Sequence, residues 1–396
     1  MRFDGNGLPL PSLKTIGDMK RILFIIVLAA AAAMCSSSAF AQNHHREKYS
    51  KNNSGNDWSL VTGADFDMYF DNREYVDCDF AESQTLFSSR LTPYIGLGWG
   101  EGRNRLMFGM DLRSDFGNST KVFAEITPQV YYRFAHRGVK AYAGIFSRDE
   151  MIGDYGEFML SDSMRFYDNR IQGVMGQYRG KQGYAELSVD WCGMFSEVSR
   201  EKFRVLSAGR YYFDRKQRFY GGYAFSMLHF AGSKLIEHCV TDNLLLAPYL
   251  GAKFNAWLDF DLRLHYIQSF QHDRDNEATY RKPKGGMLEA RISKWGIFIH
   301  EQLYMGENLQ PFYSSYRSEL FPNGYGGELY GGESFFGTTE HIYSNLKIGY
   351  DRWFFNQTLR VNCYFAMQYD GTGWGNKQMV AVSVRLLKDI PLHRRR

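Results

Sequence analysis

Residues 256–267, AWLDFDLRLHYI, alternate without a break. Ala256, Leu258, Phe260, Leu262, Leu264 and Tyr266 share one parity, and Trp257, Asp259, Asp261, Arg263 and His265 share the other. A period of two puts these sets on opposite faces of a β-strand, one apolar and one mostly charged. The apolar face needs a dry neighbour and the charged face needs water. A soluble sheet meets both needs with a core on one side. A membrane barrel meets them with lipid outside and a wet lumen inside. How often the pattern recurs decides between the two.

It recurs along most of the chain. Residues 58–70 set Trp58, Leu60, Ala64, Phe66, Met68 and Phe70 against Ser59, Gly63, Asp65 and Asp67. Residues 105–113 set Leu106, Phe108, Met110 and Leu112 against Arg105, Asp111 and Arg113. Residues 122–134 set Val122, Ala124, Ile126, Val130 and Tyr132 against Glu125, Gln129 and Arg133. Further runs fall at 91–99, 139–148, 184–191 and 359–369, with less regular ones at 171–178, 203–213, 219–230, 244–251, 286–293, 297–305, 342–350 and 378–386. The links between them alternate, long then short. That sorting is expected of a barrel with tight periplasmic turns and long external loops, and a sandwich has no reason for it. The reading is all-β: a closed antiparallel transmembrane barrel of about 16 strands, an even number as single-chain bacterial barrels require. In residues 297–305 the parity of Ile297, Ile299 and Leu303 turns Glu301 toward lipid, and either a β-bulge or a strand boundary placed elsewhere is expected to turn it away again.

Composition agrees. Aromatic residues are 16% of the chain, including 27 Tyr and 31 Phe, yet mean hydropathy is −0.41. That combination excludes a bundle of membrane helices and suits strands apolar on one face only. The net charge of +4 carries no basic block, so nucleic acid is not expected as a partner.

Lys20 and Arg21 precede an apolar run over residues 22–33, and Ala39-Phe40-Ala41 follows. This is the order of a signal peptide, so residues 19–41 are read as one. Residues 1–18 are read as an extension ahead of the true start at Met19, and 42–57 as a flexible periplasmic tail. Residues 58–387 are the barrel and 388–396 a basic tail. Cys78, Cys192, Cys239 and Cys363 are scattered, with no C-x-x-C pair for metal or redox work. No cofactor or metal is expected.

The polar parity supplies the candidate pore-lining residues. They are Arg105, Asp111, Arg113, Glu125, Arg133, Lys140, Arg148, Glu186, Asp190, Asp259, Asp261, Arg263, His265, Glu289, Arg291 and Arg360. Acids and bases are nearly balanced, which implies a polar pathway of weak charge selectivity. Asp261 and His265 together offer an alternative, since a carboxylate beside an imidazole can activate water. Residues 149–170 are rich in Asp and Glu and are read as a solvated external loop, with calcium the alternative. Residues 306–341 combine glycines with Phe and Tyr, and either narrow the lumen or cap its mouth.

The mature chain resembles Gram-negative outer-membrane β-barrel proteins of the porin-like type. Residues 144–210 are similar to large porin-like barrels through Phe146, Arg148, Asp162, Ser163, Tyr167, Gly173, Trp191 and Arg200. One departure is the end of the last strand at Val382, Val384 and Leu386, where such barrels often end on an aromatic residue. The resemblance implies a channel in the cell outer membrane. The expected partners are outer-membrane lipid, the barrel assembly machinery and small polar solutes that diffuse through the lumen. On this reading the protein is not an enzyme. The alternatives are an outer-membrane hydrolase with an Asp/His wall site, and a loop-plugged binding or structural barrel.

Overall fold

The computed structural model describes residues 58–76, 83–117, 121–197, 199–231, 240–274, 277–310, 331–337, 341–371 and 373–392. The expectations for residues 1–57, and for Cys78 and Cys239, lie outside these.

Sixteen strands close into one antiparallel barrel. They are β1 (Ser59–Glu74), β2 (Gln84–Trp99), β3 (Asn104–Asp115), β4 (Glu125–His136), β5 (Val139–Ser147), β6 (Arg170–Gly180), β7 (Gly183–Gly193) and β8 (Lys202–Tyr212). They continue as β9 (Phe219–Phe230), β10 (Thr241–Asn255), β11 (Asp259–Asp273), β12 (Lys284–Lys294), β13 (Ile297–Gly306), β14 (Ile342–Phe354), β15 (Leu359–Tyr369) and β16 (Trp374–Pro391). Each strand pairs with its sequence neighbours, and β1 closes on β16 from Ser59↔Pro391 to Glu74↔Asn376. Closure leaves no unpaired edge, which a bilayer requires.

Parity sorts the faces as expected. Leu264 is 62% exposed on the outer face, while its strand neighbour His265 is 5% exposed on the inner one. Aromatic side chains collect at both ends of the outer wall. Trp58 stacks on Trp99 at 5.3 Å at one end, and Phe87 meets Phe116 at 4.3 Å at the other. Two such girdles mark the interfaces of a membrane barrel.

Connections at the first end are short. Arg137-Gly138 and Trp295-Gly296 are two-residue turns with both φ values positive, the twist that suits a β-hairpin. The opposite end carries the long connections, including 148–169 and 307–341.

Several boundaries move, three of them tellingly. Residues 256–258 form a turn rather than the start of a strand, because the Ala256 N–H donates to the Leu258 carbonyl at 3.0 Å while β10 runs on to Asn255. Alternation of side chains passes through a tight turn unmarked. β4 begins at Glu125, not Val122. β16 runs to Pro391, pairing Lys388 with Thr62, so the strand passes Leu386 into the expected tail.

The expected bulge at Glu301 is also absent. The β12–β13 and β13–β14 registers run unbroken through Glu301, which accepts a 2.7 Å hydrogen bond from Ser344 Oγ on the same outward face. A neighbouring hydroxyl, not a change of register, accommodates the carboxylate.

Candidate functional site

The chain fills its own barrel. Residues 148–169 leave β5 at the long-loop end and fold back between the walls. They begin with a 3-10 turn, Arg148–Glu150, and end with α1 (Asp162–Tyr167). Ser161 caps α1, its Oγ accepting from Met164 N at 3.0 Å. Tyr155, Phe158 and Leu160 are at most 2% exposed and join Phe335, Phe336, Tyr304 and Tyr343 in one apolar cluster inside the barrel.

Polar ties reach the wall all round. Glu186 on β7 accepts from Ile152 N at 2.6 Å, Gly153 N at 3.2 Å and the Tyr155 hydroxyl at 2.8 Å. Asp154 Oδ2 meets Arg210 of β8 at 2.8 Å and Arg263 of β11 at 2.7 Å. Glu157 pairs with Lys347 of β14, and Asp162 accepts from the Tyr364 hydroxyl of β15 at 2.7 Å. Arg148 binds Asp190 of β7 at 2.5 Å. Residues 331–337 lie against this segment, with Ser161 N donating to Gly331 O at 2.9 Å and Glu333 N to Glu157 O at 2.8 Å.

Wall bases hold Asp154 and Asp162 of the segment, and Glu333 beside it, in the charged form. Burial pushes Asp154 up, but the Arg263 and Arg210 guanidiniums outweigh it and hold the carboxyl well below its usual range. Burial acts likewise on Asp162, where Lys347 and Lys377 win and bring it to about 2. Glu333 is lowered as well, because Lys377 and Arg73 overcome its burial.

This corrects the reading of residues 149–170 as a solvated external loop. Met151, Tyr155, Phe158, Met159 and Leu160 are interleaved with the acids, and their burial draws the segment inward. The acids meet wall bases. No group of three or more potential metal ligands occurs among the described residues. Residues 331–337 of the 306–341 stretch add to the filling. Residues 311–330 and 338–340 lie outside the described set.

The predicted wall residues on strands all take the inward parity, and most are paired there. Arg105 meets Asp389 at 2.9 Å, Arg113 meets Glu125 at 3.2 Å, and Arg360 grips Asp351 with two bonds of 2.8 Å. Asp111 faces Arg90 at 3.4 Å, Arg133 donates to Gly102 O at 2.8 Å, and Arg291 lies 4.0 Å over the Phe298 ring. Asp259 is paired in register with Ser293 near the short-turn end, and Lys140 lines a lumenal cavity. Asp261 and His265 do not meet. Asp261 pairs with Lys253 at 3.4 Å and Arg263 at 3.1 Å, while His265 and His300 share Glu289 at 3.0 and 2.8 Å. The Phe158 edge covers His265, and no hydroxyl nucleophile is bonded to it among the described residues.

A second constellation lies on the outside, at the long-loop rim. Trp191, Phe203, His229, Asp242 and His272 are register partners across β7 to β11, so they form one row on one face. His229 Nδ1 is 2.7 Å from Asp242 Oδ1. Arg274 clamps the other carboxylate oxygen from Nε at 3.0 Å and Nη2 at 2.8 Å. With Asp242 accepting at Nδ1, a neutral His229 presents Nε2 as a base. The Phe203 ring lies 5.0 Å from His229 and 5.3 Å from Trp191. Sequence reading missed this row because residues 219–230 alternate too weakly to assign a parity. The register is what unites residues spread from 191 to 272.

A family model described as Lipid A 3'-O-deacylase-type matches residues 55–384. That description names an enzyme, and it overturns the expectation that the chain is not one. Among solved structures, the chain is similar to the outer membrane protein OpdK of Pseudomonas aeruginosa, with 10% identity and a TM-score of 0.45 over 83% of this chain and 99% of that one. It is similar to OprD of Pseudomonas aeruginosa, with 10% identity and a TM-score of 0.45 over 84% and 95%. It is also similar to a Rh. blastica porin variant, with 11% identity and a TM-score of 0.43 over 82% and 99%. No curated protein matches the sequence.

Proposed function

The chain belongs to the lipid A 3'-O-deacylase-type family, and from that premise we propose that it is an outer-membrane hydrolase of an acyl ester carried by an outer-leaflet lipid. The observation that carries this reading is the His229–Asp242 pair on the outer wall at the long-loop rim. Long loops face outward in such barrels, so the pair lies where outer-leaflet headgroups meet their acyl chains. The interior argues for chemistry at the surface too, because residues 148–169 occupy the lumen.

His229 Nε2 takes a proton from water as the water oxygen bonds to the acyl carbonyl carbon. Asp242 holds the imidazole and stabilises the imidazolium. Arg274, half exposed beside the pair, supplies positive charge toward the developing oxyanion. When the acyl–oxygen bond breaks, the imidazolium returns its proton to the sugar or glycerol oxygen. The products are a free fatty acid and a lipid alcohol. Trp191 and Phe203 give the acyl chain an apolar surface beside the base.

The test is release of free fatty acid from lipopolysaccharide by the purified barrel, read by mass spectrometry. Release that persists at the parental rate in His229→Ala would remove the site. A second reading is passage of small polar solutes through the lumen, favoured by the polar inner wall. It requires residues 148–169 to move, and discrete conductance steps in planar bilayers would support it.

A further inference from the structure

Below the filling segment the lumen keeps a cavity of about 220 Å³. Its walls come from both partners: Arg90, Arg360 and Arg385 from strands, Arg148, Arg165 and Phe166 from residues 148–169. Trp353 and Arg360 flank the 355–358 turn, so the cavity faces the short-turn end.

Two of the lining guanidiniums are incompletely used. Arg90 is 3% exposed and Arg148 is 3% exposed. Arg90 is 3.4 Å from Asp111 through Nε, yet its Nη2 is buried with no hydrogen-bond partner among the described residues. Arg148 spends Nε and Nη2 on Asp168 and Asp190, and its Nη1 is buried with no hydrogen-bond partner among the described residues. A buried N–H that leaves water without a new acceptor costs about 1–3 kcal/mol, more when it is charged. Both side chains line the one cavity, so an acceptor bound there lies beside them. Six basic and four acidic side chains line it, so the field favours a negative guest. The Phe166 ring lies 4.6 Å from the Arg90 guanidinium and closes one side with an apolar face.

We propose that this cavity is a binding site for a small oxyanion, carboxylate or phosphate, that enters from the short-turn end and is held between Arg90 and Arg148. Guanidinium groups suit both anions, since each offers paired oxygens to a planar fork. The guest would touch the wall through Arg90 and the filling segment through Arg148, so binding would also strengthen the hold of one on the other. This site is separate from the outer rim and does not depend on chemistry there.

Calorimetry on the full chain in detergent micelles tests it, with inorganic phosphate in one arm, sodium propionate in a second, and sodium chloride at matched ionic strength as control. The expected result is saturable one-to-one binding in the phosphate or the propionate arm, at least tenfold weaker in Arg90→Gln and in Arg148→Gln. Heat-modifiable gel migration confirms that each variant is folded. Should Arg148→Gln fail to fold, Arg90→Gln and Arg90→Lys decide, the latter keeping the charge but losing the fork. His229→Ala should bind as the parent does. No saturable binding in either arm, binding within twofold of the parent in the folded arginine variants, or loss of binding in His229→Ala would overturn the proposal. The last outcome would place the anion at the rim. Fatty-acid release is read separately, so failure here leaves the hydrolase reading standing, and the reverse.

Discussion

Tyr155 donates its hydroxyl proton to Glu186 Oε1 across 2.8 Å, with both residues almost fully buried. The first belongs to the segment filling the lumen and the second to a wall strand. Glu186 also accepts from Ile152 N and Gly153 N, so one carboxylate satisfies three donors of the segment. Glu186→Ala strands those donors at about 1–3 kcal/mol each. The expected outcome is a barrel that still folds but exchanges the amide hydrogens of residues 148–169 at least tenfold faster. Unchanged protection would mean that the apolar cluster alone holds the segment.

Acid should loosen the same segment. Asp154, Asp162 and Glu333 have folded pKa values below their ordinary ones, because wall bases outweigh burial. A depressed pKa gives stability that is fully present above the unfolded value. That stability is lost as pH falls through the folded value. The unfolded values are 3.8 for Asp and 4.5 for Glu, and Asp162 titrates at about 2 when folded. The window therefore runs from about pH 4.5 downward toward pH 2. Amide exchange of residues 148–169 should accelerate across that window while strand amides stay protected. Conductance steps appearing in the same window would show that the segment closes the lumen. A flat exchange profile down to pH 2 would contradict the ion-pair account.

Asp190 and Arg148 form a deeply enclosed ion pair between wall and segment, with side-chain exposures of 3% and 2%. Asp190→Ala leaves the guanidinium buried with only the more exposed Asp168 as its charged partner. Breaking a buried pair from one side costs about 3–5 kcal/mol, and the remaining Asp168 contact should bring this case to the lower end. The midpoint of urea unfolding in micelles should fall accordingly. A shift under about 0.5 kcal/mol would indicate that water replaces the lost carboxylate.

At the rim, the hydrolase reading predicts graded losses. His229→Ala removes the base and should slow fatty-acid release about 10²–10⁴-fold. Asp242→Asn keeps the shape but lets the amide N–H₂ meet Nδ1, which favours the wrong tautomer. It should slow the reaction nearly as much. His229→Ala should keep the parental unfolding stability within about 1 kcal/mol, since the His229 side chain is partly exposed at the rim.

Glu301 offers a test of the outer face. A carboxylate facing lipid costs less than the ~2–4 kcal/mol of Arg or Lys at the midplane, but it does cost. Glu301→Leu should raise barrel stability by about 1 kcal/mol in lipid bilayers, and Ser344→Ala should lower it by removing the 2.7 Å hydrogen bond. Measured in detergent, the gain should shrink as water reaches the site.

Much of the barrel was legible because alternation is a local signal. Leu264 beside His265 assigns two faces with no knowledge of neighbours. Loop lengths then separated one end from the other. Alternation could not locate the turn at 256–258, where side-chain types keep their rhythm while the backbone reverses. It did turn Glu301 outward, as the unbroken register does, and only the expected bulge was wrong. The filling segment was misplaced because its acids were read as solvated, although Tyr155, Phe158 and Leu160 lie among them. Its wall partners at 186, 210, 263, 347 and 364 are scattered along the chain and carry no local mark.

What the sequence by itself determined is the closed sixteen-stranded cylinder, its apolar exterior and charged interior, and which end bears the long loops. These follow from side-chain period and link length, which are properties of neighbouring residues. Only the tertiary structure decided that residues 148–169 enter the cylinder, that Asp261 and His265 take different partners, and that His229 lies against Asp242. Those outcomes depend on strand register and on where distant charges find compensation, and neither quantity exists until the chain has closed on itself.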